Sequence, residues 1–301
     1  MNKTNNEETK YVKVKVRRLN KKNLVLLIIM FIAIIALLVS TFNFIKWTID
    51  NKKIDKQINN ISKVVKVIEV KDNDNTEIIK QEKELDKSDP YWDYIKYNLI
   101  DINFKDLISI NPDTKGWIKV NGTNINYPFV QRDNNDFYLN HDFNQKSNGG
   151  GWVFLDYRNN ITNNEKNTIV YGHGRQNKTI FGTLKDILKD NWLNNTDNHV
   201  IRISTEYENT LWQVFSVYRI PTTNDYIQTK FISNEEYLNF LNLISSRSIH
   251  NFNVNINESD RIITLSTCYN DDDKVVLHAK LIKKEQKNWK FFHFSFFNIF
   301  H

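Results

Sequence analysis

The sequence predicts a mainly β domain, a closed or nearly closed barrel of seven or eight strands, preceded by one transmembrane helix. Three observations predict this architecture. An uncharged apolar run lies near the N-terminus, short apolar segments then alternate with turn signals, and one well-capped helical segment interrupts them late in the chain. Many short strands at close spacing are typical of antiparallel barrels.

The apolar run Asn23–Ile45 contains 23 residues and no charge. A helix rises about 1.5 Å per residue, so a run of this length crosses a hydrocarbon core of roughly 30 Å. Ser40 and Thr41 make a poor cleavage site for a signal peptide, so we interpret the run as an uncleaved signal anchor. Eight basic residues precede position 23. We therefore expect a single-pass protein of the cell membrane with a cytoplasmic N-terminus and an extracytoplasmic domain.

The charge and the cysteine count exclude several classes of function. The net charge of +6 is concentrated before the apolar run, and the rest carries no basic stripe with interleaved aromatics, so no nucleic-acid partner is expected. Cys268 is the only cysteine, which excludes an intramolecular disulfide. There is no HExxH, paired CxxC or glycine-rich phosphate loop, so no metal and no cofactor are predicted.

The polar segment after the span predicts a stalk, helical in part near Ile54–Val70 and loose from Lys71 to Pro90. Apolar residues at helical spacing from Trp92 to Leu107 predict one or two N-terminal helices of the globular domain. The predicted division is a cytoplasmic basic segment 1–22, a signal anchor 23–45, a stalk 46–90, a catalytic domain 91–282 and an aromatic and basic tail 283–301. The tail is expected either in the lipid headgroup region or packed on the barrel.

Eight short apolar segments predict the strands of the barrel. They are Trp117–Val120, Ile125–Val130, Gly151–Leu155, Thr168–Tyr171, His199–Ser204, Thr210–Ile220, Ile262–Cys268 and Lys274–Ile282. Ser233 followed by Glu236 forms a capping box, and Tyr237, Leu241 and Ile244 follow at helical spacing. This pattern predicts a helix of three or four turns before the penultimate strand.

The candidate chemistry centres on Cys268 and His173. Cys268 ends an apolar strand, where the chain must turn, so its side chain is expected on a rim that substrate can reach. A thiol has a pKa near 8.5 and reacts as the thiolate, so it needs a cationic neighbour. His173 follows a strand and has a glycine on each side, which permits a tight turn and a close approach. His278, on the strand after Cys268, is the rival candidate for the base.

Several segments together resemble class B sortases. Thr264–Cys268 reads TLSTC, which resembles the sortase strand that ends in the nucleophile, and Tyr171–His173 with Phe181–Leu184 resembles the sortase histidine segment. Three further blocks are similar to class B sortases in their residues and in their order along the chain: INPDTKGWIKVNGTNINYPFVQ, YLNHDFN and FLDYRN. The resemblance covers roughly Tyr91 to Ile282 and implies a sortase-type barrel in a Gram-positive bacterium.

The resemblance implies a membrane-anchored cysteine transpeptidase. Cys268 would be the nucleophile and His173 the general acid and base. A C-terminal sorting pentapeptide would be cleaved after threonine through a thioacyl enzyme, and an amine of a cell-wall precursor would then accept the surface protein. Ser266 and Thr267 would contact the peptide in a groove of the barrel. Two alternatives are a pilin-polymerising sortase and a catalytically weak or non-catalytic module that binds peptides.

The second alternative follows from a departure from the family pattern. Sortases carry an arginine on the last strand, and the matching position here is Lys274, a point charge without the planar fork of arginine. Arg175 and Arg158 are alternative cations. Arg261 lies seven residues before Cys268, roughly 24 Å away along an extended strand, and is too far. We expect Lys274 to be the cation of the site, with Arg175 as the alternative.

Overall fold

The structure is a computed structural model, and it describes residues 20–79, 85–162, 165–270 and 272–287. Most of the basic segment 1–22 and of the tail 283–301 lies outside the described residues. The helices are α1 (Lys21–Val64), α2 (Tyr91–Tyr94), α3 (Lys105–Ile110), α4 (Asp190–Leu193) and α5 (Asn234–Ser246). The strands are β1 (Ile68–Val70), β2 (Thr76–Ile78), β3 (Leu99–Asp101), β4 (Thr114–Val120), β5 (Asn126–Val130), β6 (Phe154–Leu155), β7 (Asn167–Tyr171), β8 (Val200–Thr205), β9 (Glu208–Pro221), β10 (Ile262–Cys268) and β11 (Asp273–Gln286).

Contacts divide the chain into two units, residues 1–49 and residues 50–301. In the first unit, α1 is continuous because its sequence contains neither glycine nor proline. Its apolar side chains are exposed, and by length and composition α1 is a helix that can cross a membrane. In the second unit, the end of α1 packs into the domain and buries Ile54 and Ile61. Full burial of such a side chain contributes about 1.5–3 kcal/mol.

The segment interpreted as a stalk therefore contains more structure than its composition indicates. The loose chain predicted from Lys71 to Pro90 includes β2, which pairs with the end of β11. The helical pattern predicted after Trp92 is interrupted by β3, which pairs with β1. Each of these strands has three residues, too few to show an alternating pattern, and each forms because a partner edge is available.

The barrel contains all eight predicted strands. Their order is β10, β7, β6, β5, β4, β8, β9 and β11, and pairing between β11 and β10 closes the sheet. β11 extends to Gln286, past the predicted end of the strand at Ile282, because β9 pairs with it along its whole length. The mainly β barrel with its N-terminal helices, its late helix and its preceding apolar helix confirms the predicted fold class.

The two faces of β10 and β11 have different surroundings. Ile263, Leu265 and Leu277 point into the barrel and belong to its main core. The alternate residues point outward, where α5 and the connection before it cover them; Ile262 and Val276 pack there with Tyr237 and other residues of α5. Both strands are therefore buried on both faces over most of their length, which explains their nearly continuous apolar character.

The predicted helix α5 begins at its capping box. The hydroxyl of Ser233 accepts a hydrogen bond from the backbone N–H of Glu236 at 3.1 Å. The Glu236 carboxylate accepts one from the N–H of Ile232, just before the cap, at 2.6 Å. The apolar side of the helix then buries Phe240, Leu241 and Ile244 against the outer face of the barrel. The helix thus seals the wall on which the candidate nucleophile lies.

Candidate active site

Cys268 is the last residue of β10 and lies on the outer face of the barrel. The six residues before it are buried, whereas Cys268 itself is half-buried. The turn after it closes when the Tyr269 N–H donates to the Asp273 carbonyl at 2.8 Å. The sheet thus holds the backbone of Cys268 rigidly while its thiol remains accessible at the rim, as the sequence predicts.

His173 reaches the same rim because β7 and β10 run parallel. Tyr171 pairs with Ser266, so His173 and Cys268 each follow that pair by two residues. The Thr267 hydroxyl donates to the Gly172 carbonyl at 2.7 Å and extends the contact beyond the ladder. The imidazole Nε2 lies 2.8 Å from the Leu139 carbonyl oxygen and donates to it. This bond orients the ring and leaves Nδ1 as the position for proton exchange.

Two glycines make this approach possible. A Cβ at Gly174 would lie 2.1 Å from the Cys268 carbonyl oxygen, a contact that no side chain tolerates. Gly151 has a φ of +58°, and a Cβ there would lie 2.8 Å from the Cδ2 atom of His173. The flanking glycine noted in the sequence therefore brings the histidine loop against the cysteine strand. Gly151 additionally packs behind the imidazole.

Lys274 supplies the cation next to the sulfur. Cys268 and Lys274 are opposite each other in the last pair of the β10–β11 ladder, so their side chains share one face. The Lys274 Nζ donates to the Cys268 Sγ at 3.0 Å. The ammonium group therefore lies in direct contact with the sulfur.

The arginine alternatives lie elsewhere. The Arg175 guanidinium donates to Asn51 of α1 and, at 3.4 Å, to Asn177. Arg158 pairs with Asp156 at 2.7 Å. Arg261 pairs with Glu208 at 3.5 Å. Among the described residues that line the groove at Cys268, Lys274 is the only lysine or arginine.

The groove beside Cys268 has a volume of about 270 Å³. One wall comes from the segment before β6 and the other from the connection between β9 and α5, with the ends of β7, β10 and β11 at its base. The lining residues are Asn135, Asp136, Leu139, Phe154, Tyr171, Gly172, His173, Thr222, Thr223, Asn224, Tyr226, Ile227, Ser266, Thr267, Cys268 and Lys274. The structure therefore brings all three predicted reactive side chains and both predicted contact residues to one open groove.

Ser266 and Thr267 line the groove with their hydroxyls already engaged. The Ser266 hydroxyl lies 2.9 Å from the hydroxyl of Tyr226, a residue that the sequence analysis did not identify. Burial raises the pKa of Tyr226, so the phenol stays protonated. Leu139, whose carbonyl orients His173, was also not identified. Tyr226 lies in an irregular connection, and Leu139 ends a 3₁₀ turn of three residues. Leu139 belongs to the YLNHDFN block, but a resemblance in sequence does not indicate which backbone carbonyl will face the imidazole.

A buried polar cluster supports the groove from below. The Asp156 carboxylate accepts hydrogen bonds from Arg158 at 2.7 Å and from the Tyr171 hydroxyl at 2.9 Å. Burial alone would raise the pKa of Asp156, but the hydrogen bonds from Arg158 and Tyr171 outweigh it and lower the pKa. Burial raises the pKa of Tyr171. This cluster fixes the Tyr171 ring that forms part of the base of the groove.

The rival base His278 lies on the same outer face but in an earlier row of the ladder. It pairs with Thr264, four residues before Cys268, which places it roughly 13 Å from the sulfur along the strand. Its side chain is fully buried, and burial lowers its pKa to about 3. It does not line the groove. His278 is therefore a core residue of the barrel wall, and the prediction of it as a rival base is wrong.

A closed barrel with a cysteine, a histidine and a lysine at one rim, beside an open groove, defines a candidate cysteine peptidase or acyl transferase. Comparison with known proteins identifies the family to which the chain belongs. Residues 118–282 match the sortase domain family. The chain is 40% identical over 184 residues to sortase B of Staphylococcus aureus strain NCTC 8325, covering 60% of this chain and 75% of that protein.

Solved structures agree with this assignment. A Staphylococcus aureus sortase B–substrate complex matches with a TM-score of 0.56 and 39% identity, covering 60% of this chain and 84% of that one. A sortase B complexed with triglycine matches with a TM-score of 0.57 and 38% identity, covering 60% and 85%. The chain belongs to the sortase family, in class B, a group of cell-wall transpeptidases that act through a cysteine.

Proposed function

We propose that this protein is a membrane-anchored sortase that cleaves a C-terminal sorting pentapeptide after threonine and transfers the cargo to a cell-wall amine. One observation carries the proposal: the sulfur of Cys268 lies at the mouth of a groove, 3.0 Å from the Lys274 ammonium, on the rim that His173 also occupies. A relative solved as a substrate complex and another solved with triglycine support a peptide substrate and an amine acceptor.

The first half of the reaction forms the thioacyl enzyme. The Cys268 thiolate attacks the threonine carbonyl carbon, and the carbonyl oxygen becomes an oxyanion that the Lys274 ammonium stabilises. The C–N bond then breaks, and protonated His173 gives its proton to the departing amine. Ser266 and Thr267 lie at the base of the groove where the peptide backbone would pass. Splitting one difficult transfer into two easier steps is the advantage of a covalent intermediate.

The second half releases the cargo. A primary amine attacks the thioester carbon, neutral His173 accepts the proton of that amine, and the C–S bond breaks to restore the thiolate. The Leu139 carbonyl holds Nε2–H of the imidazole throughout, so Nδ1 is the atom that loses and regains the proton. Lys274 again balances the oxyanion. Lys274 replaces the arginine of the family, which suggested a module with weak or no catalysis. Its ammonium nevertheless contacts the sulfur directly, and this contact favours a catalytic protein.

The test is peptide cleavage by the full-length protein in detergent micelles. A pentapeptide library with proline at the second position is incubated with candidate amines, and products are identified by mass spectrometry. We expect the wild-type protein to form a thioacyl adduct and an amide product, and Cys268→Ala to melt at the same temperature yet form neither. Equal product from the alanine variant would end the proposal.

We also propose that Asn23–Ile45 spans the membrane with the catalytic domain outside the cell. The support is that α1 is long and apolar enough to cross a bilayer and is exposed throughout that stretch. Because Cys268 is the only cysteine, a membrane-impermeant maleimide applied to intact cells reports its side directly. Labelling is expected in intact cells. Labelling only after the cells are lysed would place the domain in the cytoplasm.

A further inference from the structure

A second lysine approaches Cys268 at Gly174. Lys185 belongs to a 3₁₀ helix, Gly182–Leu188, whose first residue lies against the backbone of Arg175 in the histidine loop. A Cβ at Gly174 would lie 2.1 Å from the Cys268 carbonyl oxygen and 2.6 Å from the Cε atom of Lys185. The end of the Lys185 side chain therefore occupies the space that Gly174 leaves beside Cys268. Lys185 does not line the groove, whereas Lys274 does. Lys274 contacts the sulfur of Cys268, and Lys185 lies near its carbonyl group, beside Gly174.

The charge of Lys185 has no carboxylate partner among the residues that the structure describes. Its neighbours Lys178 and Lys189 both pair with Asp186, at 3.0 and 2.6 Å. The Nζ atom of Lys185 instead lies 5.8 Å from the ring centre of Tyr269, the residue after Cys268. Burial lowers the pKa of Lys185, while a negative charge on Cys268 acts in the opposite direction. The ammonium of Lys185 therefore lies within electrostatic range of Cys268.

The other charged groups near Cys268 include Asp136, whose carboxylate lines the same groove. Lys274 contacts the sulfur from β11, and His173 approaches from the loop after β7. Beyond Tyr269, Arg219 of β9 is neutralised by Asp273, to which it donates at 2.6 Å. Tyr226 faces the cysteine from the connection after β9 as a neutral phenol. Lys185 is therefore an additional positive charge at the site.

From this arrangement we propose that Lys185 is a second electrostatic residue of the site, stabilising the Cys268 thiolate from a position outside the groove. It contacts no substrate and acts only through the cysteine. The physical need follows from Lys274, whose compact ammonium lacks the several parallel donors of a guanidinium. Two ammonium groups near one thiolate stabilise its negative charge more than one does. The inference rests on the proposed role of Cys268 as nucleophile.

The test is the pH dependence of alkylation of Cys268 by iodoacetamide, followed by mass spectrometry on the full-length protein in micelles. As the only cysteine, Cys268 gives a signal without background. Lys185→Met keeps the length of the side chain and removes its charge, Lys185→Gln is a second neutral variant, and Lys185→Arg keeps the charge. Lys189→Met is the matched control, a neighbouring lysine on the same segment already paired with Asp186.

We expect both neutral variants to raise the midpoint pH of alkylation by about one unit, which corresponds to a tenfold change in the thiol–thiolate equilibrium. Lys185→Arg and Lys189→Met should titrate like the wild type. An unchanged midpoint in the neutral variants, or an equal shift in Lys185→Arg, would overturn the inference. Peptide cleavage is measured on the same samples. A wild-type protein that cleaves nothing would contradict the proposed function, whereas the midpoints alone decide the role of Lys185.

Discussion

Two rows of one sheet face, only four residues apart, have opposite properties. At the end of β10, Cys268 faces Lys274 at an open groove. In the interior of the same face, Thr264 faces His278 beneath the cover of α5 and its connection. Both rows place polar side chains on the outside of the barrel, and both contain a group that could exchange protons. The two rows differ in whether other elements cover them. Residue type and strand register therefore do not by themselves define a reactive site.

The interior row satisfies every hydrogen-bonding atom of its histidine. The Asn167 amide donates to the Gln228 carbonyl at 2.9 Å, so its oxygen accepts from the Thr264 hydroxyl at 2.8 Å. Thr264 must then accept from Nδ1–H of His278 at 2.9 Å, and the Tyr218 hydroxyl donates to Nε2 at 2.8 Å. The imidazole is neutral and saturated. His173 at the rim uses only Nε2, at 2.8 Å from Leu139.

The largest expected effect separates the two histidines by activity. His173→Gln should lower the kcat/KM for peptide cleavage by about 10²–10⁴-fold, because it removes the proton donor and acceptor of both half-reactions. The melting temperature should stay close to that of the wild type, since only one hydrogen bond at the rim changes. Peptide kinetics and a thermal melt on the same preparation check this. Full activity in His173→Gln would remove the distinction between the two rows.

The next largest effect is a difference in stability between variants of the two histidines. His278→Ala should lower the free energy of unfolding by about 3 kcal/mol, because the buried hydroxyls of Tyr218 and Thr264 lose a partner and a cavity forms. Denaturant unfolding measures the change. His173→Ala is the matched control and should lose less than about 1 kcal/mol, since the rim is open to water. Similar losses in the two variants would mean that the interior network contributes no more than the rim.

The interior row should also make stability depend on pH. The pKa of His278 is lowered by burial to about 3 in the folded protein, against about 6.5 in an unfolded chain. Between these values the unfolded chain binds a proton that the folded protein does not, so stability is complete above about pH 6.5 and falls as the pH drops. The slope from this group approaches about 1.4 kcal/mol per pH unit.

Urea unfolding at pH 7, 6 and 5 measures that slope. His278→Gln should reduce it, because glutamine cannot titrate. His199 contributes in the same direction, since burial lowers its pKa to about 4, so some slope should remain in the variant. Arg247, whose charge also lowers the pKa of His278, is unchanged in both proteins. Identical slopes with and without His278 would contradict its assignment as a buried neutral group.

The smallest expected effect concerns the cover itself. Ser233→Ala removes the N-cap of α5 and should cost about 1 kcal/mol of unfolding free energy. Ser246 provides the matched control, because its exposed hydroxyl bonds only to the Leu243 carbonyl in the last turn, and Ser246→Ala should be nearly neutral. Denaturant unfolding of both variants checks the difference. A greater loss from Ser246→Ala would show that α5 is not held by its N-terminal cap.

Much of the fold was predictable because its signals are local. The eight barrel strands carry runs of apolar residues between turn residues, and α5 carries its own cap. Three strands were missed, β1, β2 and β3, since a strand of three residues has no period of its own and depends on the edge that it meets. The helix α4 was missed as well, since four residues are too few to show a helical period. The roles of Tyr226 and Leu139 in the groove were missed for a related reason: distant contacts set the path of the connection after β9 and of the short 3₁₀ turn Phe137–Leu139.

The sequence by itself determined the chemistry available to this protein: one thiol at the end of a strand, a histidine between glycines, and a lysine at the start of the next strand. Each of these features is a single residue or a short segment, so it can be recognised without knowing what it contacts in the folded protein. Only the tertiary structure decided which groups meet. The register of β7, β10 and β11 brings His173 and Lys274 to Cys268. Packing of other elements against the barrel places Arg175 against Asn51 and buries His278. Contacts between residues 95 positions apart, such as that of Gly172 with Thr267, depend on the whole barrel having closed.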